Sequence, residues 1–479
     1  MRSFLAIIAL FVAAVTALST AGNRLLVVMD QISDRDAYTI FFGDLESRGF
    51  EITYETPRSE GLRLSHLGER TYDHIIFLPA KVKGWWLQKA FHYLIYHVDP
   101  VLNTALGPNL TPKHLVEFVK AGGNMVIAMA SMVPTSSSLI SFLAEFEVTL
   151  PAERTGLVVD HFNYDSLSAP EAHDVLVLDA PSIMPEVTDI LAMPGSALAM
   201  PRTSGHIIGQ SPLLTPLLRG PSTAYSYNPK LHPEGLDADD FFAAGPSLAL
   251  VTAVQARNSA RIVIVGSAEM LENKWMEAKV AHVDKKPVKA ANREFAKRLT
   301  GWAFQEIGVL RVNGIEHHLQ GSEEMDPQIY CIKNDVTFSI SMSQYSWDKW
   351  VPFQVPKDDK IQMEFSMLSP FVRLSLQRTK TTETEAVFSR DFELPDQHGI
   401  FNFRVNYKRQ LLTYVDEKRT VSVRHIAHDE WPRSYDITAA WPWLTGLWST
   451  VVAWLLFCAL WLYSEPPRRA AGVKRESRG

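Results

Sequence analysis

Arg24-Leu25-Leu26-Val27-Val28-Met29-Asp30 is an apolar run closed by a carboxylate. A strand with one wet face would alternate apolar and polar side chains. One that does not alternate is covered on both faces, as in a parallel sheet. A helical pattern follows (Ala37, Ile40, Phe41, Leu45) and stops at Gly49, a residue suited to the position just past a helix end. Phe50 to Tyr54 and His74 to Leu78 repeat the strand signal. Thr111-Pro112 reads as an N-cap with proline in the first turn, opening a helix through Leu115, Val116, Phe118 and Val119 that ends at Gly122-Gly123. Met125 to Met129 is the next strand. Strands alternating with helices predict an α/β domain around a parallel sheet covered on both faces.

Outward from this core, Ser247 to Val254 and Arg261 to Val265 are β-branched runs joined by Arg257-Asn258-Ser259, the pattern of a hairpin. A helix around Phe295, Leu299 and Trp302 closes the part near Gly308. From Val309 the period becomes two. Val336, Phe338, Ile340 and Met342 alternate with polar residues, as do Ile361, Met363, Phe365 and Met367, and then Phe401, Phe403, Val405 and Tyr407. Val421 and Val423 mark a last short strand. Alternation without intervening helices predicts an antiparallel β-sandwich.

The two ends read as membrane signals. Arg2, an apolar run from Phe4 to Ala17 and the small residues Ser19-Thr20-Ala21 describe a cleavable signal peptide, too short to span a bilayer. Ile437 to Ser464 carries no charged side chain, with Trp441, Trp443 and Trp448 at its entry and Trp461 and Tyr463 at its exit. Such rings favour the headgroup layer, so this is a spanning helix. Arg468, Arg469, Lys474, Arg475 and Arg478 follow it against Glu465 and Glu476, whereas Asp429, Glu430 and Asp436 precede it with only Arg433. Basic flanks stay cytosolic, which predicts a luminal body and a cytosolic tail. The expected organisation is a signal peptide over 1–21, the α/β domain with a β-rich middle part over 22–308, the sandwich over 309–436, the transmembrane helix over 437–464 and a tail over 465–479.

Between the ends the composition is that of an ordinary folded protein, 46% hydrophobic and 21% charged with net charge −6, and no basic patch argues for nucleic acid. The two cysteines, Cys331 and Cys458, fall in different media, so no intrachain disulfide is expected. Cys331 reads as a buried small hydrophobe rather than a reactive thiol.

Three places suggest chemistry. Asp160-His161-Phe162-Asn163-Tyr164-Asp165 offers metal-binding groups, but without a zinc or calcium spacing. A turn whose Asp and Asn side chains bond their own backbone accounts for it better. In Glu316-His317-His318 the histidines point to opposite sides of a strand, so one metal would not take both. Trp85-Trp86 resembles the double tryptophan in the catalytic subunit of oligosaccharyltransferase, but Leu87 stands where an Asp follows there. No G-x-S-x-G elbow or dinucleotide fingerprint occurs, and the α/β region has no cysteine for thiol catalysis. Asn109-Leu110-Thr111 is the only glycosylation sequon. It places Asn109 as an acceptor and leaves Thr111 either in the sequon or as the helix cap.

Seven segments carry a resemblance in one order. They are Gly156 to Asp165, Ser222-Thr223-Ala224-Tyr225-Ser226-Tyr227, Gln255 to Arg261, Gly308 to Val312, Trp350-Val351-Pro352-Phe353, Ser369-Pro370-Phe371-Val372-Arg373 and Phe392-Glu393-Leu394-Pro395-Asp396. Together they resemble the 48 kDa subunit of oligosaccharyltransferase, from Leu25 through the anchor. The resemblance implies an amidotransferase-like N-terminal domain with Rossmann-like layers, lacking that fold's nucleophile. It implies a non-catalytic subunit of the endoplasmic-reticulum complex that moves a glycan from dolichyl diphosphate to asparagine in N-x-S/T sequons. It needs no cofactor or metal of its own. Its implied partners are the multi-spanning catalytic subunit, a ribophorin II-like subunit and small membrane subunits, met in the anchor through Thr445, Gly446, Ser449 and Thr450. Two features depart from the family. Lys474-Arg475 lie further in than a dilysine retrieval signal, and Trp85 to Ala105 is expected to be either a lineage-specific loop or a retained intron. The competing readings are a luminal enzyme built on Asp160, His161 and Asp165, and an independent glycan- or peptide-binding receptor.

Overall fold

The computed structural model describes residues 19–79, 106–131, 133–151, 156–179, 197–227, 242–282, 286–357, 359–368, 370–430 and 439–465. Trp85-Trp86, most of the signal peptide and the tail beyond Glu465 lie outside them.

The opening run forms β1 (Arg24–Val28), and Leu25 to Met29 are at most 1% exposed. Around it gather α1 (Thr39–Ser47), β2 (Glu51–Glu55), β3 (His74–Phe77), α2 (Pro112–Lys120), β4 (Asn124–Ala128), α3 (Ser137–Ala144), β5 (Leu214–Arg219), β6 (Ala249–Gln255), β7 (Arg261–Val265) and α4 (Asn292–Ala303). Seven strands make one sheet in the order β5-β6-β7-β4-β3-β1-β2. From β7 to β2 every pairing is parallel, whereas β5 and β6 run antiparallel at the other edge. The sheet is therefore mixed, not wholly parallel. The hairpin β6–β7, with Gln255 opposite Arg261, turns the chain back without a helix and adds the antiparallel edge.

Strand alternation divides the interior into two cores. Leu25, Val27, Ile76, Val126 and Val263 face α1 (Phe41, Phe42, Leu45) and α4 (Phe295, Leu299, Trp302). Leu26, Val28, Ile75, Phe77, Met125 and Ile264 face α2 (Leu115, Phe118, Val119) and α3 (Leu139, Phe142, Leu143). The result is three layers, helices on both faces of one sheet. Gly49 and Gly122, both at φ +88°, end α1 and α2 as expected.

The second part holds β8 (Ile307–Leu319), β9 (Ile329–Cys331), β10 (Asp335–Ser346), β11 (Lys349–Pro352), β12 (Gln362–Ser366), β13 (Pro370–Ser375), β14 (Gln377–Thr381), β15 (Ala386–Glu393), β16 (Gly399–Tyr407) and β17 (Val415–Arg424). They form two antiparallel five-stranded sheets, β8-β10-β15-β14 with β11 on β10, and β9-β17-β16-β12-β13. Phe338 of the first lies 5.3 Å from Phe403 of the second, and Phe365 stacks on Phe401 at 4.6 Å. Met367 is half-buried, so alternation in that strand stops at Phe365. The strand expected to be short around Val421 has 10 residues, because its outer face is polar and its first half carries only Val415 inward.

Residues up to Val423 form one unit and those from Arg424 a second. In the second, Arg424 pairs with Glu430 at 2.7 Å. Its helix α5 (Ala440–Tyr463) has 24 residues and contains an 18-residue stretch with a mean hydropathy of 1.7, long and apolar enough to cross a membrane. Pro442 sits in the first turn, where its missing N–H has no intrahelical partner to lose.

Candidate functional site

Sheets of this kind bind ligands beyond the carboxyl ends of parallel strands, where strand order reverses. From β1 the chain goes to β2 on one side and then to β3 on the other, so that point lies between β1 and β3. The cavity there is about 30 Å³ and is walled by residues such as Val28, Phe77, Pro79, Ile127 and Met129. That is room for roughly one water. None of its described walls is titratable, and the Ser136 hydroxyl is already used in accepting the Leu139 N–H at 3.3 Å.

The Asp160–Asp165 segment is a pair of self-bonded turns. Asp160, fully buried, accepts the backbone N–H groups of Phe162 (2.8 Å) and Asn163 (3.2 Å), the Asn163 amide (3.0 Å) and the Thr223 hydroxyl (2.8 Å). Asp165 accepts from the backbone of Leu167 (3.4 Å), Ser168 (3.1 Å) and Ala281 (2.8 Å), and from the Ser168 hydroxyl. Both carboxylates are consumed in fixing the chain. Among the described residues no group of three or more His, Cys, Asp or Glu is placed to hold a metal. What faces outward is aromatic. His161 lies 2.5 Å from His173 and 2.9 Å from the Tyr225 hydroxyl, Tyr164 packs on His173 at 3.9 Å, and Phe162 is 67% exposed. Ring faces and polar edges held on a rigid base suit contact with a partner molecule.

His317 and His318 separate as their spacing requires. His317 is buried, 2.7 Å from the Tyr330 hydroxyl and stacked on Phe403 at 4.9 Å, and burial lowers its pKa. It is core, and His318 is half-buried on the other side. Cys331 is half-exposed on β9, not the buried hydrophobe expected, because Tyr330 beside it takes the inward position.

Four of the seven resembling segments meet in pairs. Tyr225–Tyr227 pairs antiparallel with Leu157–Val159, bringing Thr223 onto Asp160. Gln255 to Arg261 meets Gly308 at the seam between the α/β part and the sandwich. Fully buried Arg261 donates to the carbonyls of Trp302, Ile307 and Gly308, each at 2.7 Å, and lies over the Trp302 ring at 5.0 Å. Gln255 donates to Leu412 O at 2.6 Å, Trp302 Nε1 to Leu411 O at 2.8 Å, and Asn258 to Val119 O at 2.8 Å in the last turn of α2. Sequence reasoning missed this clasp because an arginine at a strand start reads as a surface residue.

Asn109 is half-exposed and lines an open groove of about 440 Å³ with Arg63, Arg70, His114 and Phe118. Thr111 is the cap of α2, its Oγ1 accepting the His114 N–H at 3.3 Å. On α5 the hydroxyls of Thr445, Ser449 and Thr450 donate back to carbonyls of Trp441, Gly446 and Leu447 (2.8, 2.8 and 2.7 Å). Nothing lies within 4 Å of a Cβ built on Gly446.

These features define a class: a large body of α/β layers and β-sandwich, followed by one helix fit to span a membrane, with its signature residues spent on internal joints. Comparison gives the particular family. The OST48 N-terminal domain matches residues 16–306 and the OST48 middle domain residues 317–465. Subunit wbp1 of the dolichyl-diphosphooligosaccharide–protein glycosyltransferase of Schizosaccharomyces pombe is 30% identical over 94% of this chain and 93% of its own. The 48 kDa subunit from Danio rerio gives the same figures, and that from Drosophila melanogaster is 30% identical over 96% of each chain. The chain belongs to the OST48 family. A solved carbohydrate deacetylase, Agd3, gives a TM-score of 0.30 at 9% identity over 51% of this chain and 29% of its own, too slight to bear on fold or function.

Proposed function

We propose that the chain is a non-catalytic subunit of an oligosaccharyltransferase complex of the endoplasmic reticulum. It holds the multi-spanning catalytic subunit and a ribophorin II-like neighbour while glycan passes from dolichyl diphosphate to sequon asparagines. The observation that carries this is family membership over nearly the whole length, joined to signature residues that bond one another. The crevice between β1 and β3, about 30 Å³ with no titratable wall among the described residues, favours a layered, amidotransferase-like scaffold without its chemistry. One spanning helix gives little membrane-embedded surface for a lipid-linked donor. The patch of exposed His161 and Phe162 with half-buried Tyr225 favours a second reading, an independent receptor for glycan or peptide. Affinity purification of the tagged chain from mild-detergent membranes separates the two. The complex reading expects stoichiometric recovery of a multi-spanning transferase, and recovery of the chain alone would support the receptor.

The charge flanks of α5 support a body in the lumen and a tail in the cytosol. Asn109 reports on this. Its position in a turn beside an open groove leaves room for a glycan. Glycosidase treatment should increase the mobility of the native chain, with no shift for Asn109→Gln. Thr111→Ser keeps both sequon and cap and should remain glycosylated. An unshifted native chain contradicts the acceptor role.

A further inference from the structure

The S-x-A motif Ser19-Thr20-Ala21 places leader cleavage after Ala21, yet these residues are built into the fold. Ser19 is 8% exposed, and its hydroxyl donates to the Phe304 carbonyl at 2.6 Å and lies 3.2 Å from His74 Nε2. The Thr20 hydroxyl and N–H both donate to Gln305 O, at 3.0 and 3.4 Å, and the Ala21 N–H returns to Ser19 Oγ at 3.2 Å. The segment covers His74, which is fully buried between Phe50 (5.5 Å) and Phe304 (4.7 Å), and whose Nε2 is 3.0 Å from Gly22 O. Cleavage after Ala21 would strip donors from two carbonyls at the end of α4 and open the side of a buried imidazole. Buried polar groups left unpaired in this way are costly. A new ammonium on Gly22 would find little help from Asp73, whose carboxylate is already held by the Arg24 guanidinium at 3.0 and 2.9 Å.

We infer that the leader is removed upstream of Ser19, at the Ala17–Leu18 bond, and that Ser19 to Ala21 remain as a strap sealing the edge of the α/β part over His74. Val15-Thr16-Ala17 puts a small residue, Ala17, directly before the cut and a compact uncharged one, Val15, at the third position. The step is hydrolysis by a membrane signal peptidase. The Ala17–Leu18 C–N bond breaks, water supplies hydroxyl to the Ala17 carbonyl and hydrogen to the Leu18 nitrogen, and the products ionise to carboxylate and ammonium. It precedes folding, so the later burial of Ser19 is no barrier.

The inference rests on the reading of a luminal body with a cleaved leader, and one measurement tells the two apart. Intact-mass and N-terminal sequencing of the chain purified from native membranes should find Leu18 first. A first residue beyond Ser19, such as Gly22, overturns the strap and leaves the cleaved leader standing. A chain beginning at Met1 overturns both. As a second readout, a chain engineered to start at Gly22 should melt several degrees below one starting at Leu18, and equal melting would also overturn the strap.

Discussion

Arg261 shows how much one buried cation can hold together. No carboxylate is among its partners; three carbonyls at 2.7 Å and the Trp302 ring compensate for its lost hydration, and burial pulls its pKa down to about 9. Removing the guanidinium takes a charged donor from all three carbonyls at the seam, of which those of Trp302 and Gly308 keep a backbone N–H, from Gln305 at 3.2 Å and Thr413 at 3.0 Å. Arg261→Met should cost about 3 kcal/mol or more. Arg261→Lys should rescue little, since one ammonium cannot match the planar fork. Thermal melting of the purified chain checks both, and an unchanged melting temperature for Met would show that the seam does not need the cation. His74 and His206 set a pH dependence. Burial lowers the first to about 4 and the second to about 3, below the ordinary 6.5. Both are neutral in the folded chain, so their contribution is complete above pH 6.5 and is lost as pH falls towards 4 and then 3. Glu306, pushed up by burial to about 7 against the pull of Arg48, acts oppositely, losing its contribution as pH rises from 4.5 to 7. His206→Gln should therefore flatten the acid limb of a melting-temperature profile between pH 6.5 and 4. An identical limb in the variant would contradict the assignment.

At the scale of elements, what was legible in the sequence followed periodicity. Apolar runs gave β1, β3, β4 and β7, and Thr111-Pro112 marked the start of α2 because cap chemistry is local. The antiparallel edge was not legible. Pro216 interrupts β5, and no pattern within Leu214–Arg219 states which sheet that strand joins, since a strand's neighbour is a long-range choice. Nor could the S-x-A motif show that Ser19 bonds to Phe304, which lies 285 residues away. For α5 the hydroxyls bond their own helix, and Gly446 has open space where a side chain would go. Leucine at Gly446 and Ser449 should thus leave the chain's own fold intact while blocking close helix approach. Co-purification with neighbouring subunits should drop several-fold with the melting temperature unchanged; full recovery would exclude this face from assembly.

The whole molecule has a body whose two parts share a buried seam, and a helix that carries it. Of the candidate sites, the sequence correctly separated His317 from His318 and favoured turns at Asp160 and Asp165, because strand alternation and Asx bonding are decided within a few residues. It could not show that Thr223 closes the Asp160 turn or that Arg261 reaches Gly308, since both need the folded topology. The aromatic patch over Asp160 was likewise invisible, exposure being a property of the tertiary fold. The central claim is that this chain supports glycan transfer without performing it. The most direct measurement reconstitutes the purified chain in liposomes with dolichyl-diphosphooligosaccharide, divalent metal and an N-x-T acceptor peptide, beside the complex recovered through the same tag. Glycopeptide should form with the complex and not with the chain alone; glycopeptide from the chain alone would contradict the account.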